Sequence, residues 1–155
     1  MTIRVVRLGA GDGARAQRTF QLMAEVFEEP FEERADDEMR ALLDAPTFWA
    51  FAALDGDTLD GDTGGDTVIG GLTAHTLPMT RDRSCEVFIY DIAVAGEHQR
   101  KGVGRALVDA VTEAARAAGI DVLFVPADAD DVDALAFYRA LGGTPQPVTF
   151  FEFGA

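Results

Sequence analysis

The sequence predicts an α/β (α+β) fold, in which helices flank a mixed, mostly antiparallel sheet in the order β-α-α-β-β-β-α-β-α-β. Three observations predict it. Segments that alternate apolar and polar residues interleave with segments whose apolar residues recur at helical spacing. The strand-like runs 48–54 and 67–77 face each other across a turn-rich segment, as the arms of a hairpin do. Finally, the strongest strand pattern, Glu86–Val94, leads through a glycine-bearing turn into the strongest helical stripe, Gly102–Ala118. With 155 residues, no internal repeat and no linker, the chain reads as a single domain, 1–155.

Element by element, Ile3, Val5, Val6 and Leu8 alternate through a first strand, Thr2–Leu8. Asp12 can cap a helix to about Phe27, with Phe20, Met23, Ala24 and Phe27 on one face. Met39, Leu42 and Leu43 mark a short helix near Asp36–Leu43, ended by Pro46. Between the hairpin arms, Asp55–Asp66 is rich in Asp, Gly and Thr. The cluster Asp55, Asp57, Asp60 and Asp62 fails the calcium-loop spacing, because no frame supplies alternating ligands, a central glycine and a closing glutamate together. A solvated hairpin tip accounts for it, and no metal is assigned. In the long helix Val103, Leu107, Ala110, Val111 and Ala114 form the apolar stripe. Asp121–Val125 reads as a strand, Asp131–Leu141 as a helix stopped by Gly142-Gly143, and Val148–Phe153 as a closing strand.

Composition narrows the function. Hydrophobic residues make up 48% and charged residues 26%, a globular balance rather than a disordered one. No run of about 18 apolar residues is present, so no membrane span is expected. The N-terminus lacks the apolar stretch of a signal peptide. The single cysteine, Cys85, cannot form an internal disulfide and suits a reducing cytoplasm, and it reads as a spectator thiol. With 27 acidic and 13 basic residues the formal charge is -14, a field that repels nucleic acid and anionic lipid and attracts cations. Solubility alone would explain such a charge equally well until a site is located.

The chemistry concentrates in Ile89–Val94, a short turn, and Gln99-Arg100-Lys101-Gly102-Val103-Gly104-Arg105. A strand delivers the chain to a tight loop with two glycines, and a long helix begins there. The first helical turn has unpaired N–H groups and the positive end of the dipole, so anions settle there. Glycines at 102 and 104 let the backbone approach a phosphate. Arg100, Lys101 and Arg105 make this the densest basic spot of an acidic chain, and a pyrophosphate is its natural guest. A dinucleotide fingerprint would need a third glycine where Leu107 stands, and a P-loop would need Gly-Lys-Ser/Thr. On their own, two spaced glycines before a helix are equally compatible with a plain tight turn.

The spacing Gln99-x-x-Gly102-x-Gly104 after Ile92-Ala93-Val94 resembles the coenzyme A site of the GNAT superfamily of N-acetyltransferases. Downstream, Ala134-x-x-Phe137-Tyr138-x-x-x-Gly142 resembles that family's fourth-helix segment. The runs Pro46-Thr47-Phe48, Val68-Ile69-Gly70-Gly71, Leu77-Pro78, Ile89-Tyr90-Asp91, Ala95-Gly96-Glu97-His98 and Ala127-Asp128 are similar to type I aminoglycoside 3-N-acetyltransferases. The likeness covers nearly the whole chain, although the Asp-rich tip is longer than in those relatives. Asp131 stands where the family often carries Asn, and its role is helix capping.

The resemblance implies the acyl-CoA N-acyltransferase fold, a V-shaped opening between Glu86–Val94 and Asp121–Val125, acetyl-CoA as co-substrate and a cytoplasmic enzyme. It implies direct transfer to the 3-amino group of a 2-deoxystreptamine aminoglycoside, and hence antibiotic resistance. Another amine (a polyamine, another antibiotic or a peptide N-terminus) and a non-catalytic coenzyme-A-binding sensor are the alternatives. The acetyl-pantetheine arm would pair with Ile92, Ala93 and Val94, one N–H polarising the thioester carbonyl. The diphosphate would sit on Gln99, Arg100, Lys101, Gly102, Val103, Gly104 and Arg105. Tyr138 would protonate the departing thiolate, with an aromatic core residue as its competing reading. Asp91, a charge inside an apolar strand, should face a cavity or a cationic ligand and is the first choice for base. Asp91 and Asp128 would grip substrate ammonium groups, with Glu86 a weaker candidate; an edge-of-sheet solvated carboxylate is the other reading of both aspartates. Tyr90 reads mainly as packing and His98 as loop packing. A homodimer is expected by family analogy.

Overall fold

The computed structural model describes residues 1–59 and 65–155. They fall into two compact units, Met1–Val125 and Pro126–Ala155. The first unit holds strands β1 (Ile3–Arg7), β2 (Phe48–Leu59), β3 (Asp66–Pro78), β4 (Cys85–Val94) and β5 (Leu123–Phe124). Its helices are α1 (Gly13–Val26), α2 (Asp36–Asp44) and α3 (Val103–Ala117), with a 3₁₀ turn at Gly96–His98. The sheet order is β1-β2-β3-β4-β5; the first four strands are antiparallel to their neighbours and β5 runs parallel to β4. The sheet is therefore mixed and mostly antiparallel, as the element pattern predicts.

Each sheet face carries its own apolar layer. The stripe Val103, Leu107, Val111 and Ala115 of α3 packs on Phe51, Ala53, Ile69, Leu72, Ala74, Val87 and Ile89. On the opposite face, Ala16 of α1 and Met39 and Leu43 of α2 join Leu8, Ala50, Ala52 and Leu54. Two glycines in the middle strand allow both helices to sit close. A Cβ at Gly70 would lie 2.9 Å from the Ala93 carbonyl oxygen and 3.3 Å from Val103, beneath α3. One at Gly71 would lie 2.5 Å from Thr19 Cγ2 and 2.7 Å from Met23 Sδ, beneath α1. The buried Thr19 hydroxyl donates to the Arg15 carbonyl at 2.8 Å, so the close approach leaves no donor unsatisfied.

Several boundaries differ from the pattern. Asp55–Leu59 extends β2 into the segment read as loop, with register irregularities at Ala53/Leu54 and Asp55/Leu59. Asp55 is buried, and its carboxylate accepts from the backbone N–H of Thr2 at 3.3 Å and of Asp57 at 3.0 Å. It ties the chain start to the hairpin. Asp60 and Asp62 lie outside the described residues. Asp12 precedes α1 but turns its carboxylate back to the Gly9 N–H at 2.8 Å and makes no cap bond to the helix. β5 pairs over only two residues, where the alternation predicts five.

In the second unit, α4 spans Val132–Ala140 and Asp131 Oδ1 accepts from the Ala134 N–H at 2.9 Å, the predicted cap. Gly142, at φ +91, and the bond from the Gly143 N–H to the Tyr138 carbonyl close the helix. Val148–Phe153, read as a closing strand, makes no ladder among the described residues. Pro145 and Pro147 lead into it without N–H donors, and Val148, Phe150, Phe151 and Phe153 are all exposed. Alternation supplies a face for a strand but not a partner.

Replacing Gly71 by Val should destabilise the protein by about 1–3 kcal/mol, since Thr19 is stiff and the added methyls overpack the α1 contact. Urea unfolding would measure it, with Gly96→Ala, where a Cβ meets nothing within 4 Å, as the near-neutral comparison.

Candidate functional site

The site begins with an irregularity in β4. Ala74 of β3 pairs with Ile89 and the next residue, Thr73, pairs with Asp91, so Tyr90 has no partner and forms a β-bulge. Before the bulge, Val87 and Ile89 point into the α3 layer while Phe88 lies across from His75 on the α1 face. After it, Ile92 and Val94 take over the α3 layer, and Ala93 lies across from Gly71 on the α1 face. Asp91 shares that face with its partner Thr73. Strict alternation would have driven this carboxylate into the core beside Ile89; the bulge turns it out, next to Tyr90.

The same strand loses its outer neighbour. β4 pairs with β5 only at Val87↔Leu123 and Phe88↔Phe124, so Ile89–Val94 has no β5 partner. The antiparallel ladder to β3 uses the backbone groups of alternate residues only. On the other side of β4, Ile92, Ala93 and Val94 have no strand partner among the described residues. The Gln99 side chain donates to the Val94 carbonyl at 3.1 Å and fastens the following loop to this edge.

The loop is held by the Ala95 N–H, which donates to the Ile69 carbonyl at 3.0 Å, and by the 3₁₀ turn. His98 is half-buried there, its Nδ1 3.7 Å from the Glu97 carboxylate. Arg100 and Gly102 then both adopt left-handed backbone, at φ +57 and +88. Gly102 is required by that conformation rather than by crowding, since a Cβ there would meet nothing within 4 Å. α3 starts at Val103, whose side chain is buried in the core and fixes the helix end in place. The first bond of the helix runs from the Ala106 N–H to the Gly102 carbonyl, which puts the positive end of the helix dipole at the loop. Arg100, Lys101 and Arg105 flank the helix start in the chain and are exposed. A basic loop at the start of a helix suits a diphosphate.

Asp91 is half-buried, and desolvation pushes its carboxyl above the ordinary carboxylate range, with the negative charge of Glu29 adding to the rise. Glu29 follows α1, whose end closes through left-handed Glu28 (φ +57) and the bond from the Glu29 N–H to the Ala24 carbonyl. Nothing in the local pattern around Glu29 signals this neighbour; only the fold brings residues 29 and 91 into range. Glu86 is half-buried, paired across from Leu77, and shares the α1 face with Phe88. Tyr90, read as packing, is 58% exposed.

Asp128 and Tyr138 belong to the second unit. Asp128 is exposed in the turn leading to α4, four residues past β5 rather than at a strand end, and its carbonyl accepts from the Asp131 N–H. Tyr138 is half-buried on α4 beside Phe137, and burial, with the charge of Asp131, raises its phenol above the usual value. It therefore keeps its proton at neutral pH. Among the described residues no group of His, Cys, Asp or Glu is arranged to hold a metal, and no helix is long and apolar enough to cross a membrane. A hollow of about 230 Å³ at the amino end of α1, lined by Asp12, Arg15, Arg18 and Asp66, excludes the Gln99–Arg105 loop. Of its charged residues, Arg15 lies 3.4 Å from Asp12, and Asp66 pairs with Arg4 outside the hollow.

Among solved structures, an aminoglycoside acetyltransferase from an uncultured soil metagenomic sample is 29% identical, with a TM-score of 0.88 over 100% of this chain and 99% of that one. A second aminoglycoside acetyltransferase from an uncultured soil metagenomic sample, solved in complex with sisomicin and also with trehalose, is 28% identical. It gives a TM-score of 0.83 over 99% of this chain and 97% of its own. A ribosomal-protein-alanine N-acetyltransferase from Brucella melitensis, at 18% identity and a TM-score of 0.71, shares the fold. No curated protein matches the sequence. Residues 16–142 match the acetyltransferase (GNAT) family, and the chain belongs to it as an acetyl-CoA-dependent N-acetyltransferase.

Proposed function

We propose that this enzyme is an aminoglycoside 3-N-acetyltransferase, which moves the acetyl group of acetyl-CoA to the 3-amino group of a 2-deoxystreptamine aminoglycoside. The observation that carries the acceptor class is the position of Asp91, turned by the bulge onto the α1 face beside the uncovered edge, with Glu29 in electrostatic range. A half-buried carboxylate with a second acidic side chain in electrostatic range, in a chain of charge -14, suits a polycation. The aminoglycoside acetyltransferases at 28% and 29% identity, one of them solved with sisomicin, support the choice of polycation. The family match runs from 16 to 142 and supports treating residues 1–155 as one catalytic domain. A reducing cytoplasm suits the lone thiol of Cys85, and a homodimer is in keeping with the family.

In this reading Ile92, Ala93 and Val94 pair with the pantetheine arm, and Gln99–Arg105 hold the diphosphate. The bound thioester supplies the activated acetyl group, and a β4 amide stabilises the charge that develops on its carbonyl oxygen. The acceptor arrives as an ammonium, and Asp91 takes its proton; a raised carboxyl pKa makes it the stronger base near neutral pH. Tyr138, protonated at that pH, returns a proton to the departing thiolate. Asp128 and Glu86 bind further ammonium groups. Acetylation removes one positive charge from the drug and so weakens its hold on ribosomal RNA phosphates, which produces resistance.

A thiol-release screen with gentamicin, kanamycin and spermidine, followed by product mapping, tests the assignment. Turnover confined to spermidine, or acetylation away from the 3-amino group, would overturn it. Asp91→Asn should lower kcat/KM for gentamicin at least about tenfold, the scale of a lost acid–base group. The same substitution should stabilise the fold. A carboxyl whose pKa rises on folding is disfavoured when ionised, so its cost is absent below the unfolded pKa and full above the folded one. The gain in Tm should therefore appear at neutral pH and vanish near about pH 3. Tyr138→Phe should reduce kcat with little change in acetyl-CoA affinity; an unaltered kcat would end its role as acid. Gly102→Val should abolish coenzyme A binding in calorimetry, because a β-branched residue does not tolerate the left-handed backbone that shapes the loop.

A further inference from the structure

The bulge that turns out Asp91 also presents an aromatic surface. Tyr90 meets His75 with ring centroids 5.6 Å apart and an interplanar angle of 79°, and Phe88 at 5.7 Å and 86°. Phe88 in turn stacks on Phe124 of β5, 5.1 Å and 26°. Behind them His75 touches Phe48 at 5.5 Å, and Phe48 touches Phe20 of α1 at 6.3 Å, so the row is anchored in the core. Its outer members are not covered. Tyr90 is 58% and Phe124 39% exposed, whereas Phe48 and His75 are half-buried. Two edge-to-face contacts hold the Tyr90 ring on the protein side while most of it stays in solvent.

Such a surface is costly to leave in water and is preorganised, since its rings are already immobilised by their neighbours. It also has a charge beside it. Tyr90 and Asp91 are consecutive residues on one face, with Glu29 within electrostatic range of Asp91. A ligand that fits both features needs a flat apolar face and cationic groups at its rim. An aminated six-membered ring has this composition: axial C–H groups on its faces and ammonium groups at its edge. A linear polyamine has the charges without the face.

We infer that Tyr90, with Phe88 and Phe124, forms a stacking floor for one amino-sugar or aminocyclitol ring of the acceptor, and that this floor selects ring-shaped polycations over linear ones. The inference rests on the acceptor reading above. Tyr90 is a binding and specificity residue here and takes no part in proton transfer. An ammonium-bearing ring over an aromatic side chain is worth roughly 0.5–2 kcal/mol, which corresponds to about 2–30-fold in affinity.

The experiment compares wild type, Tyr90→Leu and Tyr90→Phe in steady-state kinetics with gentamicin and with spermidine, alongside calorimetric titration of gentamicin into the coenzyme A complex. Tyr90→Leu should raise the gentamicin KM and Kd by about 2–30-fold while the acetyl-CoA KM stays put. Tyr90→Phe, which keeps the ring, should restore most of that loss. The spermidine KM should move by much less than the gentamicin KM. An unchanged gentamicin Kd in Tyr90→Leu overturns the floor. So does a parallel rise for spermidine, or an equal rise in the acetyl-CoA KM, which marks a general disturbance of β4. Phe124→Leu, read the same way, decides the matter if Tyr90→Leu does not fold. Should wild type acetylate no aminoglycoside, the acceptor reading fails, whereas the calorimetric comparison of wild type with Tyr90→Leu still reads the floor on its own.

Discussion

Because Ala74 faces two residues of β4, every side chain beyond that point changes sides, and the rest of the site follows from this one miscount in the ladder. A strand without the bulge would bury Asp91 against Val87 and Ile89, at the desolvation cost of an unpaired carboxylate. With it, the carboxylate reaches the α1 face, Ile92 and Val94 continue the α3 layer, and the strand bends as its pairing with β5 ends at Phe88. The outward carboxylate of Asp91 and the outward ring of Tyr90 both follow from one local irregularity. Bulges are placed beside active sites for this kind of re-aiming.

The irregular strand depends in turn on a regular neighbour. β3 carries α1 on one face and α3 on the other through adjacent glycines, so both helices are registered to the same short segment. α3 presents its amino end beside the end of β4, and α1 ends where Glu29 approaches Asp91. The glycine pair thus seats the helix that begins after the Gln99–Gly102 loop and the helix that leads to Glu29 on opposite faces of one strand. Packing and chemistry share those two residues.

Much of this is legible in the residues. The stripe Val103, Leu107 and Val111 predicts α3 to within a residue at each end, and all three side chains are buried. The loop Gln99–Gly104 announces its family through spacing, and Asp91 announces itself by being a charge in an apolar run. What is not legible depends on contacts distant in sequence. The neighbour of Asp91 is Glu29, 62 positions away, and no periodicity relates them. The bulge is a matter of pairing between strands, invisible in β4 alone. Asp12 has the right identity for a cap, but the Gly9 amide competes for its carboxylate and wins. Val148–Phe153 has strand-like alternation and lacks a partner, which alternation does not encode.

The three cations at the loop, set within an acidic chain, have a kinetic consequence. Ionic strength acts on long-range fields before it acts on contacts, since screening reaches about 8 Å at physiological salt. The overall field speeds the arrival of a polycation and slows that of an anionic thioester, whereas in the proposed mode of binding Arg100, Lys101, Arg105 and the helix end would act on the anion only at short range. Added salt therefore slows encounter with one substrate and eases encounter with the other. In dilute buffer the amine has the advantage of arriving first, and as salt rises the preference shifts toward the coenzyme.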